Sequence, residues 1–187
     1  MALILASGSP RRKELLGLIT PDFTVCVSGA EETVDPNLSP ADTVLALSRV
    51  KGEAVARERP DDTVIAADTV VALDGKILGK PANAAEAEHM LRFLSGRTHA
   101  VYTGVYIASG GREVRFYEKT DVSFYPLTNE EIGEYVSTGE PFDKAGAYGI
   151  QGKGALLVKG IRGDYFNVVG FPVAAVQRAL KKVTNKQ

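Results

Sequence analysis

The 187-residue sequence has no tryptophan, one cysteine and two histidines, and each shortage excludes a class of protein. Cys26 alone cannot form an intramolecular disulfide framework or a cysteine-based zinc cluster. His89 and His99 cannot build a histidine-rich metal site by themselves. No apolar run approaches the roughly 18 residues that a membrane span needs, and residues 1–6 lack the basic residues and the length of a signal peptide. We therefore expect a cytoplasmic protein without a membrane segment.

An excess of positive charge is also missing, since 22 lysines and arginines stand against 23 aspartates and glutamates. The formal net charge of −1 argues against dedicated nucleic-acid binding, for which a strongly basic surface is typical. Any positive field must therefore be local. The hydrophobic share of 44% and the charged share of 24% are typical of globular proteins. We expect residues 1–187 to form a single domain with a sizeable core.

Strand and helix patterns alternate along the chain. Capping residues predict helices that begin near Ser9, Ser39, Asn83 and Thr128, and apolar spacing predicts a last helix over residues 172–183. Apolar and alternating runs predict strands at residues 2–6, 23–27, 62–73, 76–78, 98–109, 112–124, 155–158 and 165–169. The regular rhythm of a purely parallel sheet is absent, so the sequence predicts an α/β protein with a mixed sheet.

Three cations stand at the start of the first predicted helix, where they oppose the positive end of the helix dipole. Arg11, Arg12 and Lys13 follow a small-residue loop that begins at Ser7. A loop followed by free amide groups at a helix start is suited to bind phosphate. A solvated basic patch is the alternative, and the spacing of a Walker A loop is absent.

Charged residues also occur where apolar residues are expected. Lys51 falls on the apolar face of its predicted helix, so its ammonium must reach water or find an anion. Asp68 interrupts the apolar run 64–73, where an ionised carboxylate needs a partner. It is either a turn cap at a bulge or strand end, or a metal ligand or general base. Glu31 and Glu32 form an acidic pair that is either solvated or functional.

The glycine-rich segment 140–154 is too long for an ordinary connection and too rich in alanine, tyrosine and isoleucine for a disordered linker. Its glycines allow the backbone to approach a ligand closely. Asp143, Lys144 and Gln151 add donors and acceptors that can read a polar ligand, although an ordinary surface loop is the alternative. No histidine or cysteine nucleophile accompanies these groups, so the candidate set favours phosphate chemistry with a hard divalent metal.

The sequence resembles the Maf proteins, nucleoside triphosphate pyrophosphatases once described as septum-formation inhibitors. The resemblance runs over essentially the whole chain, and its motifs are LASGSPRR (5–12), EE (31–32), LSRVK (47–51), ADT (67–69), GKP (79–81), LSG (94–96), DKAGAYGIQG (143–152) and VVG (168–170). It implies a fold similar to inosine triphosphate pyrophosphatases, with an elongated mixed sheet, flanking helices and a cleft between two lobes. It also implies hydrolysis of a nucleoside triphosphate to the monophosphate and pyrophosphate with Mg²⁺ or Mn²⁺.

Three positions separate the subgroups of this family. The subgroup similar to dTTP/UTP pyrophosphatases carries Arg, Thr and Gln where the 7-methyl-GTP subgroup typically carries Trp, Gln and Glu. Here these positions are Arg11, Thr69 and Gln151, so the resemblance favours dTTP and UTP. Ser48 and Gly52 depart from the alanine that is frequent in relatives. A pyrophosphatase for 7-methyl-GTP or a non-canonical purine triphosphate, and a non-enzymatic regulator of septum formation, are the alternatives.

The resemblance also implies roles for individual residues and leaves room for a homodimer. Asp68 is the predicted catalytic group, as general base or as a metal ligand, and Glu32 is the predicted metal ligand. The predicted substrate-binding residues are Ser7, Arg11, Arg12, Lys51, Thr69, Lys80 and Gln151. Cleaning of modified nucleotides from the pool and arrest of cell division are both open as physiological roles.

Overall fold

A computed structural model of the chain describes residues 1–184 and has mixed α/β secondary structure. The strands are β1 Leu3–Leu5, β2 Thr24–Val25, β3 Thr63–Leu73, β4 Lys76–Leu78, β5 Thr98–Ser109, β6 Arg112–Phe124 and β7 Val158–Arg162. The α-helices are α1 Pro10–Gly17, α2 Pro40–Glu58, α3 Ala84–Leu94, α4 Asn129–Ser137, α5 Tyr165–Val169 and α6 Val173–Thr184. None of the helices in residues 1–184 is long and apolar enough to cross a membrane.

The strands pair in the order β2-β1-β3-β5-β6-β7, and β4 pairs with β3. β1 is parallel to both β2 and β3, whereas the β3–β4 and β6–β7 pairs are antiparallel. The predicted mixed sheet is therefore confirmed. The predicted hairpin at Asp74-Gly75 is confirmed as well, because both residues have positive φ and Leu73 pairs with Lys76 across the turn.

The chain divides into two compact units. Unit 1 contains Met1–Asp68, Thr103–Glu118 and the described chain from Gly170 onward, and unit 2 contains Thr69–Tyr102 and Lys119–Val169. The single domain over residues 1–187 and the cleft between two lobes stay predictions, and residues 185–187 lie outside the described residues.

Within unit 1, α2 approaches β5 more closely than side chains normally allow. Ser39 caps the helix by accepting a hydrogen bond from the Asp42 amide, and Pro40 follows it. A Cβ on Gly104 would lie 2.2 Å from the Val44 carbonyl oxygen, and one on Gly52 would lie 2.1 Å from the Tyr106 ring. Gly104 is therefore required against the backbone of α2, and a side chain at position 52 would displace the buried Tyr106 ring.

Unit 2 has its own apolar core, in which three aromatic rings meet edge to face. His99 is 2% exposed, packs against Phe124 and shares a 2.7 Å hydrogen bond with the Tyr148 hydroxyl. Burial lowers the pKa of His99 to about 4, and the Asp121 carboxylate opposes this shift. The imidazole is therefore neutral at pH 7 and contributes to packing.

Two predicted strands are wrong. Residues 165–169 form helix α5, because the Asp164 carboxylate accepts a hydrogen bond from the Phe166 amide and so begins a helix. The predicted strand over residues 155–158 lies mostly in the short 3-10 helix Gly152–Leu157, and β7 begins only at Val158. Both segments are short apolar runs, and periodicity alone does not separate a strand from a helix in a run of this length.

The close approach of α2 to β5 generates a stability prediction. We expect Gly104→Ala to lower the free energy of unfolding by about 1–3 kcal/mol, because the new methyl group meets backbone atoms that cannot rotate away. Gly133→Ala in α4 is the matched control, since the added Cβ meets nothing within 4 Å beyond its chain neighbours and the backbone of its own helix. The control should stabilise the protein by up to about 1 kcal/mol. Urea denaturation measures both, and equal effects of the two substitutions would contradict the close approach.

Candidate active site

A lysine in unit 1 lies between two carboxylates. The Lys51 Nζ is 2.6 Å from Asp68 Oδ1 and 2.9 Å from Glu32 Oε2. The side chains of Lys51 and Asp68 are only 16% and 13% exposed, whereas that of Glu32 is 52% exposed. Of the two alternatives for Lys51, the structure shows the one in which the ammonium finds an anion.

This cluster follows from where its elements lie. One face of α2 is buried within unit 1. Lys51 lies on this face, between the buried residues Ser48 and Val55. Asp68 lies inside β3 and not at a strand end, so a turn cap does not explain it. Removing one partner of such a pair would leave an uncompensated charge in partly buried surroundings. The Lys51 ammonium therefore compensates the Asp68 charge, and Glu32 provides a second, more exposed carboxylate for the same ammonium.

Arg12 is held in place by unit 1 at the start of α1. Its Nε donates to the Gly170 carbonyl oxygen at 3.0 Å, and its Nη1 donates to the Ser7 hydroxyl at 3.3 Å. Ser9 caps the helix by accepting the Arg12 amide. Burial lowers the pKa of the Arg12 guanidinium, and the Asp68 carboxylate opposes this shift. An arginine stays protonated throughout, so unit 1 contains a positive charge that Ser7 and Gly170 hold in place and that the Asp68 carboxylate favours.

The other predicted residues are distributed over both units. Arg11 is half-buried and Glu31 is exposed in unit 1. Thr69, Lys80 and Gln151 belong to unit 2, where Thr69 is half-buried and the other two are exposed. The substrate-binding roles of these residues stay predictions.

Sequence reasoning missed two sets of contacts. The first is the Gly170 carbonyl that holds Arg12. Gly170 is the last residue of the VVG motif, and that motif was the available signal that this position matters. Lys144 was expected to read a ligand, but its Nζ donates to Asp143 at 2.6 Å and to the Glu140 carbonyl oxygen at 2.7 Å. This lysine therefore holds its own segment of chain.

Two carboxylates of unit 1 offer oxygen ligands for a cation. Glu32 and Asp68 converge on the same ammonium, and carboxylate oxygens are the ligands that Mg²⁺ and Mn²⁺ prefer. Among residues 1–184, no group of three or more histidine, cysteine, aspartate or glutamate side chains has the geometry to hold a metal ion. A two-carboxylate set is nevertheless typical of Mg²⁺ sites that share the ion with substrate phosphates.

Unit 2 also contains an open groove of about 610 Å³ between β5, β6 and β7. Its lining includes Arg97, Asp121, Lys159 and Arg162, and Arg162 donates to Asp121. None of the predicted catalytic, metal-binding or substrate-binding residues lines this groove. We therefore assign the candidate chemistry to the Lys51 cluster and not to the groove.

Comparison with solved structures finds a partial likeness. A chain of the Staphylococcus aureus Ham1 protein superposes with a TM-score of 0.49 at 19% sequence identity, covering 65% of this chain and 71% of that chain. A likeness at this level supports no argument about function.

Comparison with known sequences is far more decisive. A protein named dTTP/UTP pyrophosphatase from Bacillus cytotoxicus is 56% identical over 179 residues, which cover 96% of this chain and 94% of the relative. A protein of the same name from Bacillus mycoides is 55% identical over 180 residues, with the same coverage. The family model described as "Maf-like protein" matches residues 2–183. The resemblance drawn from the motifs is therefore confirmed, and the chain belongs to the Maf family.

Proposed function

We propose that the protein is a nucleoside triphosphate pyrophosphatase that hydrolyses dTTP and UTP to the monophosphate and pyrophosphate. The observation that carries the proposal is the Lys51 ammonium between Asp68 and Glu32, in the same unit as Arg12. Relatives named dTTP/UTP pyrophosphatase, 53–56% identical over 96% of this chain, support the same reaction.

The proposed reaction uses Asp68 as the general base. Asp68 accepts a proton from the attacking water, and a bond forms between the water oxygen and the α-phosphorus. The bond from that phosphorus to the oxygen that bridges it to the β-phosphate breaks, and pyrophosphate leaves with the electron pair. The partly buried position of Asp68 supports this role, because a carboxylate shielded from bulk water can be directed at one bound water molecule.

Cations are proposed to hold the triphosphate and to stabilise the charge that develops on the leaving pyrophosphate. Arg12 is suited to this because Ser7 and Gly170 fix its guanidinium before any substrate binds. Lys51 is proposed to join it once a phosphate competes for the ammonium, and Lys80 is proposed as a further phosphate contact.

A divalent cation fits the carboxylates of this cluster. Glu32 is the proposed ligand, and its half-exposed carboxylate beside Asp68 leaves room for substrate oxygens and water. When bound, Mg²⁺ or Mn²⁺ neutralises negative charge on the triphosphate.

Base selection is assigned to Arg11, Thr69 and Gln151 on the subgroup pattern of these three positions. The primary amide of Gln151 both donates and accepts hydrogen bonds, as a base with carbonyl oxygens beside an N–H group requires. A cytoplasmic setting and a homodimer complete the proposal, and light scattering of the purified protein measures the second of these.

A substrate panel tests the proposed function. With Mg²⁺ present and pyrophosphate release as the readout, dTTP and UTP should be hydrolysed fastest among the common nucleotides, 7-methyl-GTP and inosine triphosphate. Gln151→Glu should lower kcat/KM for dTTP and UTP by about tenfold or more, because a carboxylate cannot donate to a carbonyl oxygen. An unchanged substrate profile in this variant would contradict the base assignment, and release from none of the nucleotides by the wild type would contradict the enzymatic function.

Loss of the Asp68 charge tests the general base. We expect Asp68→Asn to lower kcat by about 10²–10⁴-fold, because an amide cannot accept the proton from water. Asp121→Asn in unit 2 is the matched control, since its side chain is 17% exposed and ion-paired with Arg162 and Lys119. Circular dichroism should show both variants folded. Near-wild-type turnover by Asp68→Asn would exclude Asp68 as the base.

Separate substitutions of Glu32 and Glu31 distinguish a metal ligand from a solvated carboxylate. Glu32→Gln should raise the Mn²⁺ concentration for half-maximal activity by about tenfold or more, whereas Glu31→Gln should leave it unchanged. Chelation with EDTA should abolish turnover, and added Mn²⁺ should restore it. Equal metal requirements in both variants would remove Glu32 from the proposed ligand set.

A further inference from the structure

The chain around Gln151 forms a tight segment with little freedom. Gly149 and Gly154 touch, so that a Cβ on Gly154 would lie 2.1 Å from the Gly149 carbonyl oxygen. Gln151 lies between them with extended backbone and an exposed side chain. The proposed base-reading amide is therefore carried at the tip of a closed loop, and whatever holds the two ends of this loop sets where that amide points.

Glu140 holds the end that follows Gln151. Its Oε1 accepts the Lys153 amide at 3.2 Å and its Oε2 accepts the Gly154 amide at 3.4 Å. A Cβ on Gly152 would lie 2.8 Å from Oε1, so the backbone there lies directly against the carboxylate. Hydrogen bonds to a charged acceptor are stronger than neutral ones. Both carboxylate oxygens of Glu140 are thus committed to the loop.

Tyr135 connects Glu140 to the end that precedes Gln151. Its hydroxyl oxygen accepts the Gly149 amide at 3.2 Å. Burial raises the pKa of Tyr135 to about 12, the Gly149 amide opposes the rise, and the charge of Glu140 and its hydrogen bond with the hydroxyl add to it. The neutral phenol therefore donates to the Glu140 carboxylate while it accepts from Gly149.

Lys144 packs against Gly149, at the end of the loop that precedes Gln151. Its Cε would lie 2.7 Å from a Cβ on Gly149, so its methylene groups pack against the glycine backbone. Its Nζ donates to the Glu140 main-chain carbonyl at 2.7 Å. Both ends of the Gln151 loop are thus connected to Glu140, one directly and one through Tyr135 and Lys144.

We propose that Glu140 is a positioning residue for base selection, which fixes the Gln151 loop and acts on the substrate only through Gln151. This inference rests on the proposed function, in which Gln151 reads the base. Binding to a preformed loop avoids the entropy of ordering it on each encounter. Glu140 therefore contributes to the affinity for UTP and dTTP and to their discrimination from CTP, while the proton transfer at Asp68 does not depend on it.

A double-mutant cycle between Glu140 and Gln151 tests the inference. Glu140→Ala, Gln151→Ala and the double variant are compared for kcat and KM with UTP, dTTP and CTP. We expect Glu140→Ala to raise KM for UTP by about tenfold with kcat within about threefold of wild type, and to lower the UTP-to-CTP ratio of kcat/KM. The double variant should lose no more selectivity than Gln151→Ala alone, because one residue acts through the other.

Two further variants separate positioning from a general loss of stability. Glu140→Gln keeps one accepting oxygen and should retain part of the selectivity. Glu130→Ala, an exposed first-turn substitution in α4 of the same unit, should leave selectivity at the wild-type level. Hydrogen exchange without substrate gives a readout independent of turnover, in which the amides of Lys153 and Gly154 exchange faster in Glu140→Ala than in Glu130→Ala.

The outcomes separate this inference from the function on which it rests. An unchanged UTP-to-CTP ratio in Glu140→Ala, with a lowered ratio in Gln151→Ala, would overturn the positioning role and leave the proposed function in place. Additive losses in the double variant would also overturn it. Absence of UTP and dTTP turnover in the wild-type protein would instead overturn the proposed function, and the inference with it.

Discussion

The ion pair between Lys51 and Asp68 is the constraint on which the site depends. Lys51 lies on the packed face of α2 and Asp68 lies inside a largely apolar strand, and the two charges compensate each other at 2.6 Å. Glycines at positions 52 and 104 let α2 lie close enough to β5 to hold Lys51 over the sheet. Backbone packing and charge compensation therefore act together, and a substitution at a glycine contact is expected to disturb the charges as well as the core.

The same arrangement reconciles a nearly neutral chain with a polyanionic substrate. Arg12 and Lys51 place positive charge in unit 1, while Glu32 and Asp68 place carboxylates beside Lys51, and these are the ligands proposed for a divalent cation. The opposite charges neutralise one another before substrate binds, so the site does not raise the net charge of the protein. In the proposed function, a triphosphate and a divalent cation replace these internal ion pairs by contacts of the same kind.

Much of the fold could be predicted because its signals are local. Capping at Ser39 and Thr128 and the Asp74-Gly75 turn act within four residues of chain, and these elements appear where the pattern indicates. Helix α5 was predicted as a strand because its five residues are mostly aromatic and β-branched. The hydrogen bond from the Phe166 amide to the Asp164 carboxylate, which begins the helix, cannot be identified from such a short run. In the site, Lys51 and Asp68 could be identified because a charged residue at a position where the pattern expects an apolar one is visible in the sequence.

The sequence by itself determined the family, the mixed α/β class and the charged residues that cannot be explained by packing, because these depend on residue identity and spacing. Only the tertiary structure decided which charges meet. Lys51 pairs with Asp68, which lies 17 residues further along the chain. Arg12 is held by the Gly170 carbonyl, and the Gln151 loop is held by Glu140 through backbone amides. Every residue carries a carbonyl and nearly every one an amide, so only folding selects the one that serves as a partner.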